Sequence, residues 1–156
     1  YFLIKYKFVK KTKKKLFKIF IKEFNLNNKI NEKELVDTYQ NSLLNKKLNF
    51  PSLINVIKKL KKNKKKIMLV TEGHYNRQKN KIKSTGISSL LDYQIILDGK
   101  YNRKFKPSTL GLKKFKDIFK NNKVIYIGNS IKDRRLSSAI NVKFYHFDIT
   151  KFLKYI

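Results

Sequence analysis

The chain has 156 residues, 41% of them hydrophobic and 13% aromatic, enough apolar side chain for one packed domain of ordinary size. It has no cysteine and only two histidines, His74 and His146, which excludes disulfides, thiolate metal sites, cysteine nucleophiles and a histidine-rich metal cage. The 39 lysines and arginines outnumber the 10 acids, for a net charge of +29, a field that attracts polyanions through counterion release. Only Arg77, Arg103, Arg134 and Arg135 are arginine, the residue whose planar fork reads phosphates bidentately. Lys, Asn, Ile, Phe and Tyr are abundant and Ala139 is the single alanine. Those favoured residues share AT-rich codons, so genome composition accounts for much of the charge. No apolar run approaches the ~18 residues of a membrane span, and a soluble cytoplasmic chain is the expectation. The one methionine is Met68, so Tyr1 is not an initiator, and the chain reads as processed or as the tail of a longer frame.

Residues 1–62 contain no glycine and carry apolar side chains at helical spacing. Phe2, Leu3, Tyr6 and Val9, then Leu16, Phe17, Phe20, Ile21 and Phe24, recur with lysines between them. Asparagines interrupt this pattern at 25–28. Asn31 reads as an N-cap with Glu34 as its capping-box partner, opening a helix through Leu35, Tyr39 and Leu43. Pro51 suits the first turn of a helix that carries Leu53, Val56, Ile57 and Leu60. The lysine-rich stretch 58–66 is a solvated helix end and loop.

After Lys66 strands and helices alternate. The continuous apolar run Ile67, Met68, Leu69 and Val70 predicts a strand buried on both faces. A helix is expected over 76–84, stopped by Gly86, and strands over 93–97, 123–127 and 142–147. Amphipathic patterning predicts further helices over 107–119 and 133–140. Such alternation implies a mostly parallel α/β sheet, whose ligands bind at the carboxyl ends of the strands.

Three places there hold residues suited to chemistry. Thr71, Glu72 and Gly73 close the first strand, where a hydroxyl beside backbone N–H groups can hold a phosphate oxygen; a plain helix cap is the alternative. Lys106, held by Pro107 at the next helix start, can neutralise a phosphate and a carboxylate together. Finally, Gly128 ends a strand that leads through Asn129 and Ser130 to Asp133. Asn129 and Asp133, four apart, can converge on a hard cation such as Mg²⁺, although Asp133 also suits a helix N-terminus on its own.

The order and spacing of these three segments resemble the haloacid dehalogenase-like superfamily of phosphohydrolases. Thr71 matches its second motif, Lys106 with Pro107 its third, and the run from Gly128 to Asp133 its fourth, with Asn129 where the family has aspartate. The resemblance covers about residues 66–147. Residues 1–62 look like the helical cap of one branch, and 63–156 like the Rossmann-like α/β core. The family's first motif, Asp-x-Asp-x-Thr/Val, which carries the nucleophilic aspartate, has no counterpart; the first acid is Glu23.

The resemblance therefore implies an N-terminally incomplete, inactive chain whose core lacks its central strand. The strands ending at Thr71 and Gly128 would stand roughly 10 Å apart, two strand spacings, unless residues 1–9 move in as a substitute. For a parent with the missing aspartate it implies a Mg²⁺-dependent phosphatase for small organic phosphates, acting through an aspartyl-phosphate. In it Thr71, Glu72 and Gly73 hold phosphate, Lys106 and Asp133 serve catalysis, and Asn129 and Asp133 hold the metal. The alternative is a non-catalytic relative whose basic surface binds polyanions such as nucleic acid. Neither reading involves a membrane.

Overall fold

The computed structural model describes residues 16–27, 29–41 and 51–147. The chain divides into two compact units, Tyr1–Ser42 and Leu43–Ile156. The pattern of Phe2, Leu3, Tyr6 and Val9, the substitute strand over 1–9 and the helical position Leu43 fall outside the described residues.

In the first unit, α1 (Leu16–Glu23) and α2 (Glu32–Asn41) form a helical pair. Ile21 is the buried anchor of α1, and Phe17 meets Tyr39 of α2 edge-on with ring centroids 5.5 Å apart. α1 stops where Asn25 adopts a left-handed backbone, φ 53°, which asparagine tolerates better than most residues. Asn31 stands before α2 as expected: its side-chain oxygen accepts the Lys33 N–H at 2.8 Å.

The second unit begins, in its described part, with α3 (Pro51–Lys62) and continues through β1 (Met68–Glu72), α4 (Tyr75–Ser84) and β2 (Tyr93–Leu97). A 3-10 segment, Leu110–Phe115, leads into α5 (Lys116–Asn121), then β3 (Ile125–Gly128), α6 (Ile131–Ala139) and β4 (Lys143–His146). Among the described residues all strand pairing is parallel, as the alternation predicts. It forms two separate pairs among the described residues, β1 with β2 and β3 with β4. The carboxyl ends of β1 and β2 are in register, Glu72 opposite Leu97.

The apolar run of β1 is half-buried and packs on both faces because its side chains alternate. Met68 and Val70 pack with Ile95, Leu97, Leu112, Phe115 and Leu136 in one cluster. Ile67 and Leu69 turn the other way, toward Ile57 of α3, Ile82 of α4, Ile87 and Ile96. β3 differs: Tyr126 joins the first cluster, whereas Ile125 and Ile127 on its opposite face are 54% and 60% exposed. The β3–β4 pair is thus covered on one face only.

The helix expected over 107–119 is instead a turn followed by the 3-10 segment and the short α5. The segment closes with i to i+3 bonds such as Leu112 N–H to the Thr109 carbonyl, 2.8 Å. It runs so close to β2 that a Cβ on Gly111 would collide with the Leu97 side chain, so packing overrides the helical pattern. α6 begins two residues before its expected start, with Ser130 as N-cap. No helix among the described residues is long and apolar enough to cross a membrane.

One carboxylate ties α3 to the sheet. Asp92 accepts the Lys61 ammonium at 2.7 Å and the Ile67 N–H at 2.8 Å. Those bonds, with the nearby Lys66, outweigh desolvation and bring its pKa down to about 2. A depressed carboxyl contributes stability above its unfolded value, 3.8, and loses that contribution as pH falls toward about 2. We therefore expect Asp92→Asn to flatten the loss of stability between those pH values in urea titrations. An unchanged pH profile would refute this role for Asp92.

Candidate functional site

The carboxyl ends of β1 and β3 meet through a lysine and a carboxylate. α6 opens with Ser-x-x-Asp, the pattern of a capping box, and forms one. The Asp133 N–H donates to Ser130 Oγ at 3.2 Å, while Asp133 Oδ2 accepts the Ser130 N–H at 3.2 Å and its hydroxyl at 2.6 Å. This locks Asp133 one turn before Leu136, which is completely buried. Gly128 makes room for the carboxylate, since a Cβ there would lie 2.6 Å from that of Asp133.

Lys106 comes from the turn after the β2 loop, where its peptide bond to Pro107 is cis. Its ammonium donates to Asp133 Oδ1 at 2.6 Å and to the Val70 carbonyl of β1 at 3.0 Å. Both side chains of the ion pair are only 10% exposed. The lysine so joins β1 to the start of α6, across the two strand pairs. Two of its three donors are used in this way, which leaves one for an anion.

Tyr126, on the inner face of β3, completes the arrangement by donating its hydroxyl to Asp133 Oδ1 at 3.0 Å. Burial raises the pKa of Asp133, but the hydrogen bonds from Lys106 and Ser130, the lysine charge and the Tyr126 hydroxyl together hold it below the usual carboxylate range. Burial, then the charge of Asp133, pushes the Tyr126 phenol well above its ordinary value. Asp133 is charged and Tyr126 neutral throughout the physiological range.

The three residues at the end of β1 behave differently from one another. Thr71 donates its hydroxyl to Gln78 Oε1 at 3.2 Å, a partner on α4 that an incoming oxygen can replace. Glu72 is a clasp: it accepts the Lys106 N–H at 3.1 Å and the Lys132 ammonium at 2.7 Å. Gly73 has φ 135°, and its N–H donates to the Leu97 carbonyl at 3.0 Å. The backbone at φ 135° favours glycine at 73, while the nearest atom to a Cβ there, Gln78 Nε2 at 2.7 Å, is the end of a flexible side chain that can move aside. Asn129 is exposed and lines an open groove of about 600 Å³ with Ser130, Ile131, Arg134, Phe144 and His146.

Lys106, Asp133 and Glu72 are thus drawn together, with Thr71 at the same strand end. A family model for haloacid dehalogenase-like hydrolases matches residues 5–147, nearly the whole chain. The chain belongs to the haloacid dehalogenase-like hydrolase family. No curated protein matches it in sequence.

Hydrolases of this family commonly use Mg²⁺, and the donors present test whether this one is arranged for it. Asp133 has both oxygens occupied by Lys106, Tyr126 and Ser130. Asn129 offers only a neutral carbonyl, and the described residues contain no cluster of three His, Cys, Asp or Glu side chains. A Mg²⁺ ion needs near-octahedral oxygen ligands, so these residues as arranged do not fit it.

Sequence reasoning did not single out Tyr126, Gln78 or Lys132 in this hydrolase. The Ser130–Asp133 capping box was legible in its spacing. The others carry no sequence signal, because only folding brings β3, α4 and α6 to one edge.

Proposed function

We propose that this hydrolase binds the phosphate group of small phosphate monoesters at the carboxyl edge of β1, as the phosphate-holding part of a phosphohydrolase. The observation that carries this reading is the buried Lys106, held between Asp133 and the Val70 carbonyl with one donor to spare. A lysine fixed by a carboxylate and a carbonyl cannot swing into solvent, so it meets an anion without further ordering. Thr71 turns its hydroxyl from Gln78 to a phosphate oxygen, and Asp133 keeps the ammonium aimed at it. Glu72 does not touch phosphate; its charge positions the Lys106 backbone and Lys132. The family's attacking aspartate has no counterpart in these 156 residues, so binding rather than turnover is the property to measure.

Inorganic phosphate titrated into the chain, followed by calorimetry and by the NMR shifts of Lys106, tests the reading. We expect one saturable site that Thr71→Val weakens about 10–100-fold, the worth of one hydrogen bond to a charged group. Phosphate that fails to saturate, or that leaves Lys106 unmoved, refutes it. Salt-steep binding of nucleic acid that phosphate does not displace would favour polyanion binding by the basic surface instead.

A further inference from the structure

Among the described residues nothing covers the outer face of the β3–β4 pair. In the parallel register Ile125 stands opposite Lys143 and Ile127 opposite Tyr145, so these four side chains share that face. Ile125, Ile127 and Tyr145 are 54%, 60% and 45% exposed there. Lys143 forms a rim, its ammonium 5.1 Å from the centroid of the Tyr145 ring. Tyr126 turns to the opposite face, where it packs in the cluster that holds Leu136 of α6. Parallel strands are ordinarily covered on both faces, and here α6 supplies only one cover.

The chain leaves β4 at the end of this face. The Phe147 N–H donates to the Gly128 carbonyl at 2.7 Å, which sets Phe147 beside the carboxyl end of β3. The nine residues that follow, 148–156, lie outside the described part, and their sequence is patterned as an amphipathic helix. Ile149, Phe152, Leu153 and Ile156 recur at i, i+3, i+4 and i+7, with Thr150, Lys151 and Lys154 on the other side. Asp148 before them is a favoured N-cap residue. Nine helical residues span roughly 13 Å at about 1.5 Å each, and the four residues of β3 span about the same at roughly 3.3 Å each. Stripe and face match in length.

We propose that residues 148–156 form a helix that folds back antiparallel to β3 and buries its apolar stripe on Ile125, Ile127 and Tyr145. A second copy of the chain is the rival occupant. Its net charge of +29 opposes the approach of another such chain, whereas this segment is tethered to β4 and loses no translational freedom on docking.

Methyl NOEs measured on the full chain test this. We expect contacts from the Ile125 and Ile127 methyl groups to the Phe152 ring and the Leu153 methyl groups. Filtered spectra of mixed labelled and unlabelled chains should show none of these contacts between copies. Contacts found only between copies overturn the proposal in favour of a dimer, and absence of the contacts from both samples overturns it outright. Amide exchange supplies a second readout. Phe152→Asp combined with Leu153→Asp should speed exchange in β3 at least about tenfold, since burying even one such side chain is worth that factor. Lys154→Asp, on the polar side, should leave β3 unchanged, and β1 serves as the internal reference. Equal β3 exchange in the parent and the doubly substituted chain would also sink the proposal.

Discussion

Lys106→Ala is expected to destabilise the chain by about 3–5 kcal/mol, as breaking one partner of a buried ion pair does, and to abolish phosphate binding. The cost arises mainly from what remains. Asp133 is 7% exposed and keeps its charge with its strongest partner gone. The Val70 carbonyl loses its donor at the same time. Because Asp133 titrates below the usual range, its favourable contribution is present above the unfolded value of 3.8 and is lost as pH falls through the folded value. The gap between parent and variant should therefore narrow in urea titrations moved from pH 7 toward acid, where a protonated Asp133 no longer needs the ammonium. Replacing both partners, Lys106→Met with Asp133→Leu, should cost less than Lys106→Ala alone. A Lys106→Ala chain as stable as the parent at pH 7 would show that the pair does not hold α6 to β1.

Leu136→Ala should cost about 2–5 kcal/mol, a large share of the 5–15 kcal/mol typical of a domain. Leu136 is completely buried in the cluster with Ile95, Leu97, Leu112 and Phe115, and it anchors α6 one turn beyond Asp133. Its truncation leaves a cavity between α6 and β2 that rigid neighbours fill only in part. The loss should extend to the site, because Asp133 reaches Lys106 only while α6 stays seated. Leu136→Met, which nearly conserves volume, should cost under about 1.5 kcal/mol and keep phosphate binding. Chemical denaturation, with the Lys106 NMR signals as a second readout, separates the two variants. Equal stability of Leu136→Ala and the parent would mean that the α6 contact contributes nothing.

Much of the architecture was legible before any coordinates. The β1 run, the β2 strand, Pro51 at the first turn of α3 and the N-cap role of Asn31 follow from patterns that act within a few residues. Period and capping are local physics, so they survive in the linear chain. The same holds for the order of Thr71, Lys106 and Asp133, which pointed to the family that the match over 5–147 establishes. Residues 107–119 show where local reasoning fails. Their amphipathic pattern predicts one helix, but Gly111 presses onto Leu97 and the chain tightens into 3-10 geometry.

Outside residues 107–119, the sequence alone determined the type and approximate place of these elements and that their strands run parallel, because propensity, capping and side-chain period are properties of near neighbours. That the strands ending at Thr71 and Gly128 stand apart was implied by the family resemblance; the tertiary structure alone decided that Lys106 spans the two pairs. It also decided that Glu72 became a clasp and that both oxygens of Asp133 are taken up by Lys106, Tyr126 and Ser130. Those outcomes depend on groups up to 60 residues apart, as Glu72 and Lys132 are, meeting in a shared low-dielectric space. No pattern along the chain encodes the competition among donors that settles there.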